Sequence, residues 1–217
     1  MARAIIVEDY QFDHAVKVAA VTGRNQIRDV ALLHVLFGTA LTTTEIALLR
    51  VDDYLRDDGT IKQDWKVREE IAYNGNERPL FWSNKKVSSK LDQYLDYRLN
   101  AGLGVVTKSS YRGLQPDGSL FVTENGGSMA MTKRVLDGKA HYSCDVLTSI
   151  FRKLFAQAGI EGASSTSGRR TFATKLYRKG YDLKHIQTLL GHGSVKAVRK
   201  LVECDPMNLG AIVAKAF

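Results

Sequence analysis

Arginine, lysine and histidine crowd the C-terminal third of this chain, and their types and spacing point to phosphate before any other ligand. Arg169 and Arg170 stand together in "SSTSGRRTFATKLYRKG" with Lys175, Arg178 and Lys179 behind them, and Lys184, His185, His192, Lys196, Arg199 and Lys200 follow. A guanidinium keeps its charge at any physiological pH and donates through a planar fork that matches phosphate oxygens. Arg169 and Arg170 also fall where helical spacing begins, and the free N–H groups of a helix start attract phosphate. His192, between Gly191 and Gly193, can transfer a proton near neutrality or simply hydrogen-bond the local backbone.

Other chemistries find less support. Cys144 and Cys204 have no CxxC spacing, and the five histidines form no HExxH, so no metal, cofactor or redox function is expected and both thiols read as reduced. No apolar run approaches the roughly 18 residues of a membrane span, and the start "MARAIIVEDYQ" lacks a signal-peptide core, so a cytoplasmic protein is expected. The charge is uneven. Residues 1–151 hold 19 basic and 19 acidic side chains, whereas residues 152–217 hold 12 and 4, so the whole surplus of +8 lies in the last part. A polyanionic partner follows from that asymmetry.

The 217 residues suffice for one compact domain with a real core. Helical periodicity marks residues 9–22, 28–38, 88–100, 145–159, 167–179, 182–190, 194–204 and a terminal helix from Asn208. Thr42 and Glu45 have capping-box spacing, which sets another helix start near Thr42. Between 60 and 83 the pattern changes, and Asn74-Gly75 predicts a tight hairpin between a strand ending at Tyr73 and one running from Leu80 to Trp82. Residues 101–119 read as a surface loop. The expected class is α+β, mainly helical, with one small antiparallel sheet.

The stretch "SSTSGRRTFATKLYRKGYDLKHIQTLLGHGSVKAVRKL", residues 164–201, resembles the C-terminal signature of the tyrosine recombinase (phage integrase) family. Weaker similarity runs back to about residue 28 through "GTALTTTEIALLRVDD". The resemblance implies that family's catalytic-domain fold over residues 1–217, without its N-terminal DNA-clamping domain, and duplex DNA as partner. It also implies a reaction in which a tyrosine oxygen attacks a DNA phosphate while arginines neutralise the developing charge.

Carried over position by position, the resemblance keeps two family residues and loses several. Arg169 and His192 match the second arginine and the histidine of the LGH turn. The first arginine falls on Thr42, the first histidine on Thr166 and the hairpin lysine on Tyr73. The nucleophile, nine positions beyond His192, falls on Leu201, and no tyrosine follows Tyr181 in the sequence. Val195, Val198, Leu201 and Val202 share a helical stripe, so Leu201 also reads as a packing residue. The expectation is a family member that holds double-stranded DNA without cutting it, as a transcriptional regulator or an accessory factor of a mobile element. The basic residues from Arg169 to Lys200 named above would supply its DNA-binding face. Two alternatives stand beside it: a working recombinase with a displaced nucleophile such as Cys204, or an interaction module regulating a recombinase. The tail 205–217 is expected either to pack on its own domain or to reach a second copy or a partner recombinase.

Overall fold

A computed structural model describes residues 4–136 and 138–202. The chain order begins with α1 (Asp9–Thr22), α2 (Gln26–Thr39), α3 (Thr43–Leu48), β1 (Asp64–Val67), β2 (Arg78–Phe81) and α4 (Lys85–Asn100). It continues with β3 (Thr132–Leu136), β4 (Lys139–Ser143), α5 (Asp145–Gln157), α6 (Ser165–Arg178), α7 (Leu183–Leu190) and α8 (Val195–Val202).

Helix α2 is the hub. Its N-terminus is fixed by the Asn25 side chain, which accepts from the Arg28 amide at 3.0 Å, and Val30, Ala31, Leu32, Leu33, Val35 and Leu36 are all buried. A helix apolar on nearly every side belongs inside, and α1, α4 and α6 pack around this one. Each fully buried leucine here contributes roughly 1.5–3 kcal/mol of transfer free energy. Close approach of α6 to α2 requires Gly168, because a Cβ there would lie 2.7 Å from the Leu36 carbonyl oxygen. The main core extends through Leu91, Tyr94 and Leu95 of α4 and Leu147, Phe151 and Phe155 of α5. A second, smaller cluster, built from Ala40, Ala173, Ile186, Leu190, Val198 and Val202, joins α6, α7 and α8.

The helices follow the sequence periodicity, but the strands differ from it. There are two two-stranded antiparallel sheets among the described residues, β1–β2 and β3–β4, instead of one. In the first, Asp64 pairs with Phe81 and Val67 with Arg78, so the leading strand ends well before Tyr73. Residues 68–77 form a loop, not a two-residue hairpin turn. Asn74 and Gly75 do turn the chain, with the Gly75 amide bonded to the Ala72 carbonyl at 3.0 Å, but the Asn74 side chain is drawn away to the Gly191 carbonyl at 2.6 Å. The 101–119 stretch is not wholly superficial either, since Leu114 is buried in the main core. Cys204, the tail 205–217 and the helix expected from Asn208 lie outside the described residues. No helix among those described is long and apolar enough to cross a membrane.

Candidate phosphate-binding site

Three elements, β2, α6 and the 68–77 loop, converge on the C-terminal end of α7. The last carbonyls of a helix have no partner within it, and here they accept from side chains brought by other elements. Leu189 accepts from Arg78 Nε at 3.2 Å, Leu190 from Arg169, and Gly191 from Asn74 at 2.6 Å. Two guanidinium groups beside a helix C-terminus are also favoured by the helix dipole. Gly191 itself has φ +64, and a Cβ on it would meet Arg78 Cδ at 2.8 Å, so glycine is required there on two counts.

Arg169 lies one turn into α6, whose start is held by a reciprocal pair between Ser164 and Ser167. Its guanidinium is half-buried. One nitrogen donates to the Ala40 carbonyl at 2.9 Å and the other to Leu190, while the Tyr73 ring covers it with its centroid 4.5 Å away. Burial and then the charge of Arg78 pull its pKa down, but an arginine remains a cation. The Tyr73 hydroxyl stands 3.0 Å from His192 Nδ1 and 3.3 Å from the Gly191 carbonyl.

His192 is neutral at ordinary pH. Burial, followed by the charges of Arg169 and Arg78, lowers its pKa to about 4. Its Nε2 is buried without a hydrogen-bond partner among the described residues. The backbone on either side is fixed, because its amide donates to the Gln187 carbonyl at 3.1 Å and its carbonyl accepts from Gln187 Nε2 at 3.0 Å.

Glu45 balances part of this positive charge. Its carboxylate is fully buried and accepts from the Thr42 amide at 2.7 Å, the Tyr73 amide at 3.2 Å and both terminal nitrogens of Arg78, the longer of these at 2.8 Å. Burial alone would push its pKa up, but the Arg78 hydrogen bonds and charge, helped by Thr42 and Arg169, hold it below the usual carboxylate range. Two guanidiniums against one carboxylate leave a net positive site, with a neutral imidazole and a phenol at its mouth. Such a set can accept an anion and relay a proton. No group of three or more metal-ligating side chains occurs among the described residues.

The sequence candidates divide among several environments. Arg169, His192 and Tyr73 come together. Thr42 lies beside them as the N-cap of α3, accepting from the Glu45 amide at 3.2 Å. Thr166 is exposed, with its hydroxyl 2.9 Å from that of Ser164. Leu201 is half-buried against the second hydrophobic cluster. Lys179, Lys184, His185, Lys196, Arg199 and Lys200 are exposed. Three basic residues depart from the expected DNA-facing surface. Arg170 is turned into the interior and donates to the Ala4 carbonyl, because adjacent helix positions cannot share a face. Lys175 pairs with Asp9, and Arg178 meets both carboxylate oxygens of Glu8 at 2.9 Å, so both are engaged by acids at the start of α1. Sequence reasoning missed Arg78, and it read Glu45 and Asn74 only as cap and turn. Arg78 shares the inward face of β2 with buried Leu80, and a charge on the core side of a strand demands a buried partner.

The model of the phage integrase family matches residues 10–204. The chain belongs to the phage integrase family. Among its relatives, the tyrosine recombinase XerC of Pseudomonas fluorescens is 24% identical over 189 residues, covering 87% of this chain and 52% of that protein. The chain thus spans about half the length of the curated relatives it matches. The crystal structure of XerA recombinase superposes with a TM-score of 0.70 at 19% identity, covering 99% of this chain and 66% of that one. XerH site-specific recombinase, bound to its palindromic difH substrate in a post-cleavage complex, gives 0.65 at 18% identity, covering 98% and 53%. These structures share the mainly helical α+β fold of the phage integrase catalytic domain, small antiparallel sheets included.

Proposed function

We propose that this phage integrase family member binds duplex DNA through the Arg169–His192 face without cutting it, and serves as a transcriptional regulator or an accessory factor of a mobile element. The observation that carries this reading is Leu201. Nine residues beyond His192, where the family resemblance requires an attacking oxygen, stands a hydrocarbon side chain packed against the second hydrophobic cluster. Thr42 supports the same reading, because its hydroxyl caps a helix where the resemblance calls for an arginine. The exposed Lys179, Lys184, Lys196 and Arg199 supply the sequence-independent attraction, and self-association or a partner recombinase on the same DNA would raise the effective affinity.

The test is binding to duplex DNA against salt, together with incubation on a nicked duplex. With about six phosphate contacts, log K should fall against log salt with a slope near −5. A flat response would remove the DNA-binding reading, and a denaturant-resistant protein–DNA adduct would remove the non-cleaving one. Arg169→Ala is expected to weaken binding on every sequence alike.

One contact favours a second reading, in which the nucleophile is displaced to the 68–77 loop. The Tyr73 hydroxyl is 3.0 Å from His192 Nδ1 and its ring lies over the Arg169 guanidinium, and the residue is 43% exposed. An adduct that disappears in Tyr73→Phe and persists in Cys204→Ser would assign it.

A further inference from the structure

The β3–β4 hairpin has no place in the site described above. It stands beside α3, with β4 against that helix, and α3 is the element that carries Thr42 and Glu45. Lys133, Arg134, Val135, Ala140, His141 and Tyr142 are all exposed. An isolated two-stranded ribbon is at best marginally stable in water, so large apolar side chains left open on one ask for a partner. Val135 is 64% and Tyr142 58% exposed.

The register sorts these side chains. Lys133 pairs with Tyr142, Arg134 with His141 and Val135 with Ala140. Directly opposed residues share a face, and alternate residues along a strand share it too. One face therefore presents Lys133, Val135, Ala140 and Tyr142, and the other Arg134 and His141. Arg134 is engaged by Asp145 at 2.8 Å at the base of the ribbon, which leaves the first face to meet a ligand.

Charge identifies the class of ligand. Residues 132–143 contain three lysines or arginines and a single acid, a local basic excess within a part of the chain that is neutral as a whole. A basic ribbon with an aliphatic and an aromatic side chain on one face complements a polyanion that also offers apolar edges. Duplex DNA does so in its major groove, which is about 12 Å wide, admits a two-stranded β-ribbon and exposes thymine methyl groups. Five residues per strand at about 3.3 Å each extend over roughly 16 Å, the length of about five base pairs.

We infer that the β3–β4 ribbon enters the major groove of duplex DNA, with Lys133, Val135 and Tyr142 directed into it. This rests on the reading that the chain binds duplex DNA, and adds a contact separate from the Arg169–His192 face. Val135 and Tyr142 would meet base edges, and Lys133 either a guanine edge or a phosphate.

The test compares the whole chain with Lys133→Ala/Tyr142→Ala on two short mixed-sequence duplexes. One carries ordinary cytosine, and the other glucosylated hydroxymethylcytosine, which fills the major groove and leaves the phosphates open. Both altered side chains are exposed, and an unchanged thermal transition verifies that the fold is intact. The unaltered chain is expected to bind the glucosylated duplex about tenfold more weakly than the ordinary one; the variant should lose about tenfold on the ordinary duplex and show little further loss on the other. Unaltered affinity in the variant would overturn the inference. So would a weakened variant as sensitive to glucosylation as the parent, since the ribbon would then touch only the backbone. A variant that keeps its DNA affinity but loses self-association in sedimentation would assign the ribbon to a second copy of the chain instead. If the parent chain binds neither duplex, the DNA-binding reading itself fails and the ribbon's role falls with it.

Discussion

Replacing Arg78 by methionine tests how the candidate site is held. The Arg78 and Glu45 side chains are 2% and 0% exposed, so removing the arginine strands a carboxylate in the interior. Breaking a buried ion pair from one side costs about 3–5 kcal/mol, because the remaining charge is uncompensated. Glu45 keeps the Thr42 and Tyr73 amides and the nearby charge of Arg169, which places the expected loss at the lower end, about 3 kcal/mol. Urea unfolding near neutral pH measures it, and two controls show the cause. The Glu45→Gln/Arg78→Met double variant leaves no charge at either position, although the single glutamine carbonyl serves only one of the two amides, which donate to different oxygens of Glu45, so it should recover part of the loss. Acidification supplies the other. In the parent the folded pKa of Glu45 is depressed, so its contribution is present above the ordinary carboxyl pKa and is lost as pH falls through the folded value. In Arg78→Met, burial dominates and raises that pKa, so the carboxyl protonates earlier and the gap between parent and variant narrows in acid. A loss below about 1 kcal/mol, or a double variant no more stable than the single one, would refute the account.

Three further outcomes follow from the same geometry. Thr42→Ala removes the hydroxyl that accepts from the Glu45 amide and should cost about 1 kcal/mol in chemical denaturation. His192 should titrate near 4 by NMR. Because its folded pKa lies below the unfolded one of about 6.5, stability falls as pH drops through that interval, and His192→Asn should flatten part of that slope. The buried His34, whose pKa is also lowered, first by burial, keeps the rest. Gly168→Val drives carbon into the Leu36 backbone and should destabilise by about 1–3 kcal/mol, seen as a lower Tm.

The helices were legible because each carries one long apolar period and a recognisable start, as at Thr42 and Asp182. The second ribbon was not, because "TKRVLDGKAHYS" lacks the apolar–polar alternation that reveals a strand, and its central described side chains are exposed on both faces. Tyr73 lies beside His192 and Arg169, although the strand expected to carry it ends at Val67. Arg169 and Arg170 look equivalent in sequence, but neighbouring helix residues point about 100° apart, and only one can face the site. The pairing of Lys175 and Arg178 with Asp9 and Glu8 joins opposite ends of the chain, and no local pattern announces it. Arg78 escaped notice because its partner, Glu45, already had a sufficient local role as a cap.

The crowding of side chains at the end of α7 has a consequence for the dynamics of the domain. Leu189, Leu190 and Gly191 are tied to the remainder of the fold by Arg78, Arg169 and Asn74, and the cluster beneath them is small. Amides of α7 and α8 should therefore exchange with solvent through a local opening well below the free energy of global unfolding. An anion that drew Arg169 from the Leu190 carbonyl would remove one of those ties. Occupancy of the Arg169–His192 site and exchange protection of α7 and α8 are thus coupled quantities, and hydrogen exchange can report on either one.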